Sequence, residues 1–153
     1  MNNIEALDPH KGKVHKASDS ELTETTNLNT FPMIMMSRFL APQMLSRKAS
    51  GPGRSGIINM TSYYTNWPVF NLPMFVAGKS MQAHTSFIFG LEVEEDMDVL
   101  TVKQLPVKSA RNPYGVEAKD VVEGVLKDIG HERISYGHWS HSLFRHYYLW
   151  RQC

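Results

Sequence analysis

Ile57-Ile58-Asn59-Met60-Thr61-Ser62 is the stretch whose reading decides the fold. Its unbroken Ile57-Ile58 core, following Gly56, suits a short strand through Met60 buried on both faces of a parallel sheet. The strand hands over to a serine. Thirteen positions past that serine (75 − 62 = 13) comes Phe75-Val76-Ala77-Gly78-Lys79, inside a segment rich in Met, Ala, Phe and Ile that reads as a helix from Met74 to Leu91. Trp67 to Pro73 is the loop between them. A buried strand, a serine at its end and a lysine on the next helix are thus fixed by one short piece of chain.

Working outward, residues 1–23 are polar and read as a loop. A first helix is expected from about Thr25 to Lys48, with Leu28, Phe31, Ile34 or Met35, Phe39 and Leu45 keeping a helical period. Pro32 and Pro42 fall inside it, which predicts kinks or a late start. Ser46 to Ser55 holds Gly51, Pro52 and Gly53 and reads as a surface loop. Downstream, Glu92, Glu94, Glu95 and Asp96 close the second helix at the end where acids oppose its dipole, which points to a solvated turn. Asp98 to Leu105 fits a strand stopped by Pro106. Ala118 to Ile129 is amphipathic, with Val121, Val122, Val125, Leu126 and Ile129 on one side and Gly130 as its stop. Ile134-Ser135-Tyr136 fits a last short strand. Strand and helix alternate, the pattern of an α/β parallel sheet.

Composition excludes several classes. The chain has 153 residues, 42% apolar and 20% charged, enough for one folded domain. Lys and Arg number 16 against 15 acids, a formal net charge of +1, so no global basic field exists to hold nucleic acid. The single cysteine, Cys153, rules out a disulfide within the chain and fits a reducing, intracellular compartment. No apolar run reaches the ~18–20 residues of a membrane-spanning helix, and the first residues show no secretory signal.

The serine-ended strand and the lysine helix, at this spacing, resemble the active-site segment of the short-chain dehydrogenase/reductase family. There a strand ends in Asn-x-Ser-Ser or a variant, and a Tyr-x-x-x-Lys helix follows thirteen residues past the serine. Ser62 and Lys79 match; Phe75 stands where the family has tyrosine. Thr26-Asn27-Leu28-Asn29 is similar to the family's Asn-x-Asn helix segment, with Asn29 at the relay position. Arg38-Phe39-Leu40-Ala41-Pro42-Gln43-Met44 resembles the Leu-Pro-x-Met stretch of the 3-ketoacyl reductase and 17β-hydroxysteroid dehydrogenase branch. Asn2-Asn3 is similar to the family's Asn-Asn-x-Gly strand end, and Pro106 stands at the Pro-Gly motif, although Val107-Lys108-Ser109 departs from it. The resemblance covers about residues 24–136.

The resemblance implies a carbonyl reduced by hydride from NADP or NAD. The tyrosine hydroxyl moves the proton, and the lysine lowers the tyrosine's pKa from its free value of ~10 and holds the cofactor ribose. The serine binds the substrate oxygen and the asparagine supports a proton relay. The implied site residues are therefore Asn29, Ser62 and Lys79, with Lys79 also touching the cofactor and Phe75 at the tyrosine position. Phenylalanine offers no proton, so general acid–base help worth roughly 10²–10⁴ in rate is expected to be absent. The family's Gly-rich turn packs the pyrophosphate against a helix N-terminus. No Gly-x-x-x-Gly-x-Gly or Gly-x-Gly-x-x-Gly is picked out in the chain, and Gly51-Pro52-Gly53 precedes a strand and opens no helix, so it does not supply that turn. The implied fold is a partial Rossmann-like doubly wound parallel sheet lacking the N-terminal dinucleotide-binding half, with a polar 1–23 loop, a dehydrogenase-like 24–136 body and an aromatic-basic 137–153 segment. Cofactor binding is then in doubt, and an exposed sheet edge would invite self- or hetero-association.

Other residues carry weaker signals. Tyr64 would share Ser62's strand face as a substitute donor, but Tyr63 and Tyr64 are better read as packing the strand's exit. His138, His141 and His146 suggest a metal site, yet lack the supporting carboxylates or thiolates zinc needs, so a solvated or interfacial helix is expected instead. Met33, Met35 and Met36 read as core filler. Residues 139–151 mix rings with basic residues and fit a membrane surface or a partner. By resemblance the chain belongs at the endoplasmic reticulum membrane surface or in the cytoplasm. Three functions stay open: a degenerate, inactive reductase; half of a split reductase completed by another chain; and an interaction or structural subunit.

Overall fold

The computed structural model describes residues 1–3, 13–51, 53–67, 69–110 and 112–144, with the backbone alone for 48–50. After a 3-10 turn at Val14–Lys16 come α1 (Asp19–Ser50), β1 (Ser55–Ser62), a second 3-10 turn (Tyr63–Asn66), α2 (Pro73–Glu92), β2 (Met97–Gln104), α3 (Ala118–Asp128) and β3 (Ile134–Ser135). The strands form one sheet in the order β1-β2-β3, all parallel. Ser55 pairs with Met97 at one end of β1 and Ser62 with Gln104 at the other; Thr101 pairs with Ile134. The expected α/β parallel sheet is present.

Side-chain alternation along the strands divides the core in two. Ile57, Met97 and Val99 face α1 and α2, where Met44, Leu45, Phe89 and Val93 pack on them. Met60, Leu100, Val102, Val121 and Val125 form the opposite cluster under α3, joined by Ile58 and Ile129. Helices therefore cover both faces, as a doubly wound sheet requires. Gly124 lets α3 lie against the chain leaving β3: a Cβ there would stand 1.9 Å from the Gly137 carbonyl oxygen.

Four sequence expectations need correction. The 1–23 stretch is not all loop, because α1 begins at Asp19 rather than near Thr25. Ser18 and Glu21 form a capping box: the Glu21 N–H donates to Ser18 Oγ, and the Ser18 N–H donates to the Glu21 carboxylate at 2.9 Å. The helix also runs on through Pro32 and Pro42 to Ser50, so the first five residues of the expected 46–55 loop are helical. Each interior proline costs about 3 kcal/mol, and burial of Met33 and Ala41 opposes that cost. Of the three methionines only Met33 is core; Met35 and Met36 stand half-exposed on the far side of α1. Finally, Tyr64 does not share a strand face with Ser62, because the chain turns into the 3-10 helix at Tyr63. Tyr63 is buried there against Trp67 and Tyr136.

Asn2 adds a bridge to the outer side of β1, donating its N–H to Ile58 O and accepting from Met60 N–H, both at 2.8 Å. Past β3, residues 139–144 begin a helix; the rest of the 139–151 segment, His146 included, lies outside the described residues. Among the described residues no helix is long and apolar enough to cross a membrane.

Candidate active site

The site lies where β1 ends and α2 passes over it. On the α1/α2 side of the sheet the strands change character along their length. Ile57, Met97 and Val99 come first; Asn59, Thr61 and Thr101 follow, all buried. The same face is thus apolar at the strands' amino ends and polar toward their carboxyl ends, the end where open α/β sheets bind ligands.

Buried polar groups need partners, and here they form a chain. Asn2 Nδ2 donates to Asn59 Oδ1 at 2.8 Å, Asn59 Nδ2 donates to Ser86 Oγ at 2.9 Å, and Thr101 Oγ1 donates to the same Ser86 oxygen at 2.7 Å. Three elements and the Asn2 bridge are pinned together. Asn2 and Asn59 fall within the segments that carry the family resemblance, whereas Ser86 and Thr101 were not singled out by sequence. The available signal was an asparagine inside a buried strand, with Lys79, Gln82 and Ser86 spaced three and four apart on an apolar helix.

Ser62 is the last residue of β1 and is buried; its Oγ accepts from the Tyr64 N–H at 3.2 Å, capping the 3-10 turn. Phe75 and Lys79 sit one turn apart on the buried face of α2. Lys79 is wholly buried. Its ammonium lies 3.5 Å from the Met60 carbonyl oxygen and 6.0 Å from the centre of the Phe75 ring. The cation therefore meets a backbone dipole and the face of a π-system. Asn29 is wholly buried on α1, its Nδ2 donating to Thr25 O at 3.0 Å. Gly78 brings it to the site: a Cβ on Gly78 would stand 2.6 Å from Asn29 Cβ. Of the four residues named from sequence, Phe75 and Lys79 meet on α2 and Asn29 packs on that helix at Gly78, while Ser62 ends β1 two residues past the Met60 carbonyl that Lys79 reaches. Gln82, one turn beyond Lys79, is also buried, and its Oε1 has no hydrogen-bond partner among the described residues.

The letters Gly51-x-Gly53-x-x-Gly56 do spell a dinucleotide fingerprint. The structure places them between α1 and β1, running from helix into strand. A phosphate cradle needs the reverse order, strand into helix. Among the described residues, the three strand-to-helix connections, 63–72, 105–117 and 136–138, contain only Gly115 and Gly137 as glycines, one each in the last two and none in the first. The described residues do not fit the pyrophosphate of a dinucleotide.

The histidines form a separate group beyond β3. His141 is buried, and its Nδ1–H donates to Tyr136 O at 3.0 Å. Burial lowers its pKa below the ordinary histidine value, the hydrogen bond to Tyr136 raises it in part, and neighbouring His138 lowers it further. His138 faces it at 5.9 Å between ring centres.

These features define a class: a parallel α/β sheet with helices on both faces and a polar site at the carboxyl end of β1. Solved structures narrow it. The chain superposes on a 7β-hydroxysteroid dehydrogenase with a TM-score of 0.74 at 14% identity, covering 95% of this chain and 57% of that one. A 3-ketoacyl-(acyl-carrier-protein) reductase from Brucella melitensis, complexed with NADH, gives 0.75 at 14% identity over 88% of this chain and 62% of that one. The bulky-bulky ketone specific alcohol dehydrogenase from Comamonas testosteroni gives 0.74 at 16% over 88% and 52%. The fold is that of the short-chain dehydrogenases/reductases, and the chain spans a little over half the length of these structures. No family model matches the chain, and no curated protein matches its sequence.

Proposed function

We propose that the chain is a degenerate short-chain dehydrogenase/reductase, descended from enzymes that reduce a ketoacyl or ketosteroid carbonyl with NADP(H) or NAD(H) and itself catalytically inactive. One observation carries this: position 75, which matches the tyrosine of the resembled family, holds a phenyl ring buried beside Lys79. Ser62, Lys79 and Asn29 are the retained floor of the ancestral site. A phenyl ring neither gives nor takes a proton, and the ~10²–10⁴ acceleration from general acid–base chemistry goes with it. The misfit of the glycine letters to a phosphate cradle supports the same conclusion independently.

The test is NADPH and NADH consumption by the purified chain with ketoacyl and ketosteroid substrates, repeated with Phe75→Tyr. No turnover above background is expected from the wild-type chain. Turnover by the wild-type chain refutes inactivity, and turnover by Phe75→Tyr alone locates the defect in one hydroxyl. A second function is favoured by the outer edge of β1, which among the described residues pairs only with Asn2. A complementing chain adding parallel strands there would make a split reductase. A stable monomer with no partner in native pull-downs speaks against it.

A further inference from the structure

The chain leaving β3 turns sharply and packs on the exit of β1. Gly137 makes the turn at a φ of +70°, where a Cβ would stand 2.7 Å from Val121 Cγ1 on α3. Its N–H donates to Ser135 Oγ at 2.8 Å, and that hydroxyl donates to the Asp128 carboxylate. The Tyr136 ring meets Tyr63 edge-on at 6.3 Å between ring centres. Tyr63 directly follows Ser62 and is 2% exposed. The segment that begins at Tyr136 thus helps to bury the first residue past the candidate site.

Two histidines hold that segment, and each does so only as a neutral ring. His138 precedes the helical residues 139–144. Its Nδ1 accepts from the Ser140 N–H at 3.3 Å and lies 2.7 Å from the Ser140 hydroxyl, the place a capping serine or asparagine oxygen usually takes. A proton on Nδ1 sets N–H against N–H and removes the cap. His141 is buried and donates its Nδ1–H to Tyr136 O at 3.0 Å. A second proton on its ring puts a charge where water is excluded, and burial already holds its pKa below the ordinary value. The two rings face each other edge-on at 5.9 Å, so charge on one opposes charge on the other. The groups around them offer no relief. On α3, Lys119, Asp120, Glu123 and Lys127 are exposed and Asp128 is engaged by Ser135; the 3-10 turn after β1 brings Tyr63 and Tyr64. Among the described residues His138 is the one charged group that shifts His141.

We propose that residues 136–144 are an acid-released latch on the exit of β1: neutral His138 and His141 keep it closed, and their protonation frees it and uncovers Tyr63 beside Ser62. The folded pKa of His141 lies below its unfolded value, so its share of the closure is complete above about pH 6.5 and is lost as pH falls through the folded pKa. Two rings charging in one step raise the open-to-closed ratio more than tenfold, and up to about a hundredfold, per pH unit. The step is local, because the sheet beneath is held by Leu100, Val102 and the α3 valines, none of which titrates. The inference is independent of whether the site turns over substrate.

The experiment is NMR of the full chain from pH 8 to pH 5, reading the cross-relaxation between the Tyr63 and Tyr136 rings, which needs contact, and the amides of β2 as a control. The ring cross-peak is expected to vanish in one step with a midpoint below 6.5 and a slope of more than one proton, while the Leu100 and Val102 amides keep their shifts. His138→Asn keeps a cap acceptor that does not titrate and is expected to reduce the slope to one proton. His138→Asn/His141→Gln is expected to keep the cross-peak down to pH 5. The half-buried His138 is the milder site, so its single variant tests the slope even where the double variant fails to fold. The proposal is overturned by a cross-peak that persists in the wild-type chain at pH 5, or by a slope that His138→Asn leaves unchanged. It is also overturned by a step that the double variant retains, which assigns the trigger to a carboxylate such as Asp128, or by β2 amides that move in the same step, which is global unfolding.

Discussion

The two faces of the sheet are built from neighbouring residues of the same strands, yet they differ in kind. Under α3, Met60, Leu100, Val102, Val121 and Val125 close an apolar cluster, and its stability comes from area and packing density. Under α1 and α2 the apolar part stops at Ile57 and Val99. Beyond it lie Asn59, Ser86, Thr101, Gln82 and Lys79, each at most 1% exposed. On this face directional bonds tie β1, α2 and β2 together through Asn59, Ser86 and Thr101. One face supplies stability and the other supplies position, although the strands' residues alternate between them.

The sharpest way to break the contrast is Leu100→Ala on the α3 side. Leu100 is wholly buried, and a cavity there is expected to cost about 2–5 kcal/mol in denaturant unfolding. Asn59→Ala on the other side is expected to cost about 1–3 kcal/mol, because Asn2 and Ser86 each lose a partner in a dry environment. If it costs nothing, the polar chain is not a structural device and the comparison fails. The smallest effect belongs to His141. Its folded pKa lies below the unfolded value, so its neutral form contributes stability above about pH 6.5 that is lost as pH falls through the folded pKa. Thermal melts from pH 7.5 downward are expected to show falling Tm, with a slope of at most about 1.4 kcal/mol per pH unit from this group. His141→Gln is expected to shrink that slope.

What could be read in advance tracks these same two kinds of interaction. The strand through Ile57-Ile58, the helix bearing Phe75 and Lys79, and α3 were legible, because area burial leaves a periodic trace in sequence; of the expected α3 stripe, Val121, Val125 and Ile129 face the sheet, whereas Val122 and Leu126 are exposed. Asn29, picked out by its Asn-x-Asn setting, lies wholly buried against Gly78, where a larger residue on α2 would collide with it. The start of α1 was missed because Ser18 and Glu21 act as a pair three residues apart, a signal without hydrophobic period. Met35 and Met36 were misplaced because α1 is apolar on both its sides, so periodicity could not say which side meets the sheet. The Asn59–Ser86–Thr101 chain joins residues distant in sequence, and only the fold brings such partners together.

The sheet also sets a schedule for folding. Its strands are parallel, so no two of them meet through a hairpin; Ser55 finds Met97 only across the whole of α2, and Thr101 finds Ile134 only across α3. Pairing of this range pays loop-closure entropy before any strand contact is made. The capped helix α1 and the helix α2 can form their turns early, while β1, with its Ile57-Ile58 pair, waits bare for a partner that emerges from the ribosome later. The interval before β2 arrives is when this chain is most exposed to aggregation through β1.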